Sequence, residues 1–218
     1  MEPQSAPTSP STQFRLGDLM PNFTARTTQG VKSLSDFRGA WLALFSHPGD
    51  FTPVCTSEFV AIARAADRFA ALGCALMALS VDSLYAHFAW IRMIHERFDV
   101  SIEFPIIEDP TLEIARAYGM IGADAIDASP VRVSYFIDPD GLLRAYTCYP
   151  ATVGRSVEEM LRLVAALQRV DRGPVLAPAE WRPGDDLLKA PTHTLDEVLA
   201  SPNATDWFYC PVKDGAKR

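Results

Sequence analysis

Cys55 sits in the run Ser46-His47-Pro48-Gly49-Asp50-Phe51-Thr52-Pro53-Val54-Cys55-Thr56-Ser57-Glu58-Phe59. The side chains gathered there suit sulfur chemistry. A hydroxyl precedes the thiol at Thr52, a carboxyl follows at Glu58, and His47 brings an imidazole. The apolar run Trp41-Leu42-Ala43-Leu44-Phe45 leads into the stretch and a helical pattern leaves it. The thiol is therefore placed where a strand hands over to a helix. Backbone N–H groups and the positive end of the helix dipole favour a thiolate at such a junction. A thiolate is the nucleophilic form of cysteine, so the expected chemistry is attack by sulfur rather than packing of a small apolar group.

Around this junction, strands are predicted over 41–45, 74–81, 131–137 and 142–149, with 104–107 as a short edge piece. Asp138-Pro139-Asp140-Gly141 is a turn signal that makes the last two long strands a hairpin. Helical periodicity runs through Phe59, Ile62, Ala63, Ala66, Phe69 and Ala70. It recurs over 84–98 and again from Val157 to Leu167, with Ser83 and Ser156 as N-caps. Strands alternating with helices, then a hairpin and a helix, indicate an α/β sheet covered on both faces. After Gln168, Pro174, Pro178, Pro183 and Pro191 break regular structure. The expected organisation is a disordered tail over 1–13, a catalytic domain over 14–170, and an extension over 171–218 that lies on another surface.

Composition removes several function classes. A net charge of −7 at pH 7 argues against nucleic acid or an anionic membrane as partner. No apolar run approaches the roughly 20 residues that span a bilayer. The segment 1–13 has neither Lys nor Arg nor an apolar core, so it does not read as a secretory signal, and the expected compartment is the cytoplasm. The four cysteines, 55, 74, 148 and 210, form no Cys-x-x-Cys pair and no disulfide framework. In a reducing compartment a lone exposed thiol points to catalysis. Cys74 and Cys148 fall within predicted strands and are expected to pack in the core. His87, His95 and His193 have no company of metal-ligand type, and no metal is expected. No Gly-x-Ser-x-Gly elbow supports a serine hydrolase.

The spacing Pro48-x-x-x-Thr52-x-x-Cys55, within His-Pro-x-Asp-Phe-Thr-Pro-Val-Cys-Thr-x-Glu, resembles the active-site motif of the peroxiredoxins, of the one-Cys type. Val81-Asp82-Ser83, Phe104-Pro105-Ile106-Ile107, Asp109-Pro110 and the run from Tyr149 to Arg155 continue the resemblance in order, over about residues 14 to 210. It implies a thioredoxin-like fold, with a mixed central sheet flanked by helices and an extended C-terminal dimerisation segment. It also implies a thiol-dependent peroxidase that reduces hydrogen peroxide and organic hydroperoxides through a cysteine sulfenic acid, for antioxidant defence and redox homeostasis. No cofactor is expected.

Arg132 opens a predicted strand that is otherwise apolar, a place where arginine needs a partner, and it matches the family's active-site arginine. Arg132, the Thr52 hydroxyl and the N–H groups near Cys55 are expected to donate to the peroxide oxygens, while Pro48 shields the thiolate. By resemblance, Glu58 bridges to a second arginine, matched by Arg155. His47 is expected to tune the thiol or bond an oxidised form of it. Cys210, in Trp207-Phe208-Tyr209-Cys210-Pro211, is the candidate resolving thiol across a homodimer or a larger ring. The alternative reductant is external: a thioredoxin-like protein, glutathione or another small thiol. A different class of function, an oligomeric holdase chaperone or peroxide sensor, is compatible with the acidic composition and the aromatic C-terminal segment.

Overall fold

The computed structural model describes residues 14–121, 125, 127–203 and 206–215, and its contacts fall into two units, Met1–Val157 and Glu158–Arg218. The tail expected over 1–13 lies outside the described residues. In the first unit, β1 (Thr24–Thr27), β2 (Gly30–Ser33), β3 (Trp41–Ser46), β4 (Cys74–Ser80), β5 (Ile106–Glu108), β6 (Arg132–Ile137) and β7 (Leu143–Tyr149) form one sheet. Their spatial order is β2-β1-β5-β4-β3-β6-β7. β3 runs parallel to β4 and β4 to β5, whereas β6, β7, β1 and β2 join antiparallel, so the sheet is mixed.

β3 is buried along all six residues, as a central strand must be when both its faces are covered. Leu42 and Leu44 point to one face, in a cluster with Met77, Leu79, Tyr135 and Ala115 of α4 (Glu113–Ala117). Phe45 points to the other. It packs against Phe104 and against Phe59 of α1 (Pro53–Arg64), and Phe59 in turn packs on Trp90 of α3 (Leu84–Phe98). A short α2 (Ala66–Ala71) follows α1, so the pattern read across 59–70 is two helices with a break at Ala65. α3 has the expected bounds, and the Ser83 hydroxyl caps it by accepting from Ala86 N–H at 3.3 Å.

Two expectations about strands need correction. The piece at 104–107 is β5 over 106–108, and it lies inside the sheet between β1 and β4 rather than at an edge. The edge it was expected to form is covered by the β1–β2 hairpin, whose polar sequences TART and GVKS carry no strand signal. Cys148 was expected in the core but is exposed, because β7 is itself an edge strand with every second side chain turned outward.

The second unit takes α5 (Val157–Val170) from Glu158 onward, followed by β8 (Val175–Leu176), β9 (Leu187–Lys189), α6 (Leu195–Ala200) and β10 (Pro211–Val212). The prolines permit more order than expected. β8 fits between Pro174 and Pro178, β9 between Pro183 and Pro191, and the three strands pair antiparallel. Trp181 and Leu187 are buried, and Arg169 pairs with Asp214 at 2.8 Å. No helix among the described residues is long and apolar enough to cross a membrane.

Candidate active site

β3 ends at Ser46, and the chain reaches α1 through residues 47–52. Pro53 opens the helix, where its fixed φ suits the first turn and its missing N–H is not needed. Cys55 therefore occupies the first turn of α1. It is fully buried, not exposed as the cytosolic argument expected. The preceding turn is strained at Phe51, whose φ of 57° is in the left-handed region that favours glycine.

Arg132, the first residue of β6, donates through Nη1 to Cys55 Sγ at 3.2 Å and to Glu58 Oε2 at 2.7 Å. Its Nε and Nη2 both donate to the carbonyl of Ala151, at 3.1 and 2.9 Å. These contacts commit four of the five guanidinium N–H groups and leave one on Nη2 for a ligand. Glu58 lies almost one helical turn beyond Cys55, at a spacing that shares a helix face. Its Oε1 accepts from Arg155 Nε at 2.9 Å and from Arg155 N–H at 2.8 Å. Arg155 also donates to Ser46 O at 2.6 Å and Ser134 Oγ at 2.8 Å, with its guanidinium over the Phe45 ring. Cys55, Glu58, Arg132 and Arg155 are thus one buried cluster. Two guanidinium charges and one carboxylate leave an excess of one positive charge, which an anion at Cys55 Sγ balances.

Thr52 departs from its expected role as a donor. Its hydroxyl donates to Gly49 O at 2.9 Å and makes no capping bond, so its lone pairs, not its hydrogen, face an incoming ligand. Pro48 is half-buried in the same loop. Cys210 is half-buried in the second unit, and its carbonyl accepts from Lys189 N–H at 2.9 Å. Cys74 is buried and its thiol is pushed up to about 12, by burial above all, so it stays protonated and inert.

Sequence reasoning missed three contributors. The Ala151 carbonyl is backbone and carries no residue signature. Gly154 packs so closely that a Cβ there would meet Val54 Cγ1 at 3.4 Å and Glu58 Cγ at 3.6 Å. The third is the pair Asp50 and His87. Asp50 Oδ1 lies 3.0 Å from His47 Nε2 and Oδ2 lies 2.7 Å from His87 Nδ1, with all three side chains buried. His47, Asp50 and Asp82 bring potential ligand atoms within 4.8 Å of one another. Asp50 is committed to the two imidazoles, however, and Asp82 to Asp50 N–H and the Ser80 hydroxyl, so hydrogen bonding within the chain accounts for the arrangement.

Burial pushes His47 below its ordinary 6.5, against the pull of Asp50. For Asp50, burial pushes upward, but the hydrogen bonds to His47 and His87 outweigh it and the carboxyl lies below its ordinary 3.8. Both groups bind a proton less readily folded than unfolded, so both stabilise the fold at neutral pH and lose that contribution in acid. The His47 share starts to fall as pH drops through 6.5 and the Asp50 share as it drops through 3.8. Calorimetry is expected to show Tm declining once pH passes below 6.5, with the first part of that slope reduced in His47→Gln. A slope equal in variant and wild type would contradict this assignment.

Comparison with known proteins identifies the family. Residues 16–146 match the model of the AhpC/TSA family, and residues 166–201 match the C-terminal domain of 1-Cys peroxiredoxin. Peroxiredoxin 2 of Caldanaerobacter subterraneus subsp. tengcongensis is 43% identical over 205 residues, covering 91% of this chain and 93% of that protein. The solved structure of a yeast mitochondrial 1-Cys peroxiredoxin superposes with a TM-score of 0.82 at 37% identity, over 92% of this chain and all of that one. A cysteine-to-serine mutant of peroxiredoxin 6 from Arenicola marina gives 0.78 at 35% identity, over 85% and 88% of the two chains. The chain therefore belongs to the AhpC/TSA family and is a peroxiredoxin, a thiol-dependent peroxidase on the thioredoxin-like fold.

Proposed function

We propose that Cys55 is the thiol that attacks the peroxide, with Arg132, Thr52 and Pro48 shaping the attack and Glu58 and Arg155 holding Arg132 in place. The observation that carries this reading is the 3.2 Å contact from Arg132 Nη1 to Cys55 Sγ inside a buried cluster one positive charge in excess without a thiolate. Sulfur attacks the terminal oxygen of a hydroperoxide; the S–O bond forms as the O–O bond breaks. The peroxide proton passes to the leaving oxygen, so thiolate plus hydroperoxide gives sulfenate plus alcohol, or water from hydrogen peroxide. Thr52 Oγ accepts the peroxide O–H, and the free Arg132 N–H stabilises charge on the oxygens as they separate. Protonation of the sulfenate gives the sulfenic acid. Pro48 keeps bulk water from the sulfur.

Trapping tests this directly. One equivalent of hydrogen peroxide followed by dimedone is expected to place a single adduct on Cys55, located by peptide mass spectrometry. An adduct confined to another cysteine would overturn the assignment.

For the second half of the cycle the proposed partner is a thiol reductant of the thioredoxin or glutathione type, since the yeast mitochondrial 1-Cys peroxiredoxin is resolved via the glutathione/thioredoxin systems. Cys210 is the internal candidate, in a homodimer or larger ring whose 171–218 extension packs on a neighbouring subunit. In support, α6 buries none of its residues, Leu195 and Leu199 are 70% and 74% exposed, and Phe208 and Tyr209 are exposed. Non-reducing electrophoresis after peroxide is expected to show a dimer-sized band that is lost in Cys210→Ser. A band unchanged in that variant assigns the cycle to the external thiol alone. Four free cysteines fit a reducing compartment, and we place the protein in the cytoplasm. The holdase alternative is not favoured by the relatives, which are peroxiredoxins.

A further inference from the structure

We propose that Trp90 and Thr56 are positioning residues for the peroxide step: hydrogen bonds running from the Trp90 indole through the Thr56 hydroxyl fix the carbonyl of Thr52, and with it the hydroxyl that receives the peroxide. The proposal rests on the reading that Thr52 takes the peroxide O–H beside Cys55.

The direction of this relay follows from what each group can give. Trp90 Nε1 lies 3.2 Å from Thr56 Oγ1, and an indole N–H only donates, so the Thr56 oxygen accepts there. Thr56 Oγ1 lies 2.8 Å from the Thr52 carbonyl oxygen, which only accepts, so the Thr56 hydrogen goes to Thr52. The same carbonyl accepts from Thr56 N–H at 2.9 Å, the main-chain bond that opens α1. Both lone pairs of the Thr52 oxygen are then in use, and its peptide plane is held. Hydrogen bonds linked in this way polarise one another where water is excluded. Trp90 is fully buried. Its ring lies 4.6 Å from that of Phe59 and stacks on His47 at 5.3 Å, so the relay starts from a fixed point on α3.

The start of α1 needs such an anchor. A threonine in front of a helix ordinarily turns its hydroxyl oxygen to the first N–H groups and caps them. Thr52 makes no such bond; its hydroxyl donates to Gly49 O at 2.9 Å. That leaves its lone pairs to the peroxide and removes the usual hold on the helix start. Thr56, one turn farther on, supplies the hold from the side that meets α3. A hydroxyl that bonds back to the carbonyl four residues earlier is slightly unfavourable in a helix. The Trp90 indole gives it a reason here, because the bond passes the fixed position of α3 on to Thr52. Neither Trp90 nor Thr56 touches sulfur or peroxide in this scheme. They act through the placement of Thr52, and rates are sensitive to small displacements of groups that orient a reactant.

The test starts from Thr56→Val, which keeps the shape of the side chain and removes the hydroxyl. Its single-turnover rate constant with hydrogen peroxide, followed by stopped flow, is expected to fall about tenfold, the upper end of what one hydrogen bond contributes. Thr56→Ser keeps the hydroxyl and should restore most of that rate. Alkylation of Cys55 by iodoacetamide needs the thiolate but no acceptor for a peroxide O–H, so it is expected not to fall in Thr56→Val. In ¹H–¹⁵N NMR the Trp90 indole resonance, assigned by its loss in Trp90→Phe, should move upfield in Thr56→Val and return in Thr56→Ser. Trp90→Phe removes the donor and keeps a ring against His47 and Phe59, so its peroxide rate reads the same relay if Thr56→Val fails to fold. A wild-type peroxide rate in Thr56→Val, equal damage in the Val and Ser variants, or a parallel fall in alkylation would overturn the proposal. Thr52→Val separates the premise from the relay. A wild-type rate there would overturn the reading of Thr52 itself, whereas a slow Thr52→Val beside an unimpaired Thr56→Val would overturn the relay alone.

Discussion

Replacing Arg132 with methionine is expected to lower kcat/KM for hydrogen peroxide about 10²–10³-fold, the loss typical when one preorganised donor is removed from a site of developing charge. Two effects of the substitution act together. The donor to Cys55 Sγ disappears, and so does the N–H left over for the peroxide. The charge balance also inverts. With Arg132 gone, Glu58 and Arg155 neutralise each other, and a thiolate becomes an uncompensated buried charge. Arg132→Lys separates the two effects. It restores the charge but cannot fork to Ala151, Glu58 and the sulfur at once, so it should recover only part of the rate. Stopped-flow peroxide consumption measures the main loss, and alkylation by iodoacetamide at neutral pH reports the thiolate separately. A rate within threefold of wild type for the methionine variant would remove Arg132 from the chemistry.

How much of this was legible beforehand depends on whether the deciding interaction is local in sequence. The strand-to-helix junction at Cys55 could be read because an all-apolar strand, Pro53 at the helix start and a periodic helix are each local signals. The β6–β7 hairpin was legible for the same reason. Asp138 accepts from the N–H groups of Asp140 and Leu142, and Gly141 takes a φ of 76° beside the Arg38 guanidinium, where a Cβ would collide. Arg132 stood out as a charge in an apolar strand, a conflict that burial resolves through its partners. The β1–β2 hairpin was not legible because its four-residue strands are polar, and the interior place of β5 was not because it depends on Thr27 of β1 pairing with Ile107, far along the chain. Asp50 was inside the motif and still unread, because its meaning depends on His87, 37 residues away. Considered as a metal ligand, His87 gave no signal; its partner is the Asp50 carboxylate, 2.7 Å away.

Glu58 is where the largest effect on stability is expected. Glu58→Gln keeps the shape and removes the charge that joins two buried guanidinium groups. The amide oxygen can serve one arginine, but its NH₂ must then face N–H donors of the other, and the burial of all three side chains keeps bulk solvent from taking their place. Breaking a buried pair by removing one partner costs about 3–5 kcal/mol. For a chain of this length each kcal/mol moves Tm by about 2–4 °C, so a fall of about 6–20 °C is expected by calorimetry. Activity should fall too, because Arg132 loses the carboxylate that aims Nη1 toward the sulfur. A double-mutant cycle tests the cause. If the damage comes from stranded positive charge, Arg155→Met added to Glu58→Gln should cost less than the two single changes summed, by about 0.5–3 kcal/mol. Strict additivity would mean that Glu58 and Arg155 are not coupled through their charges and that the bridge contributes through packing alone.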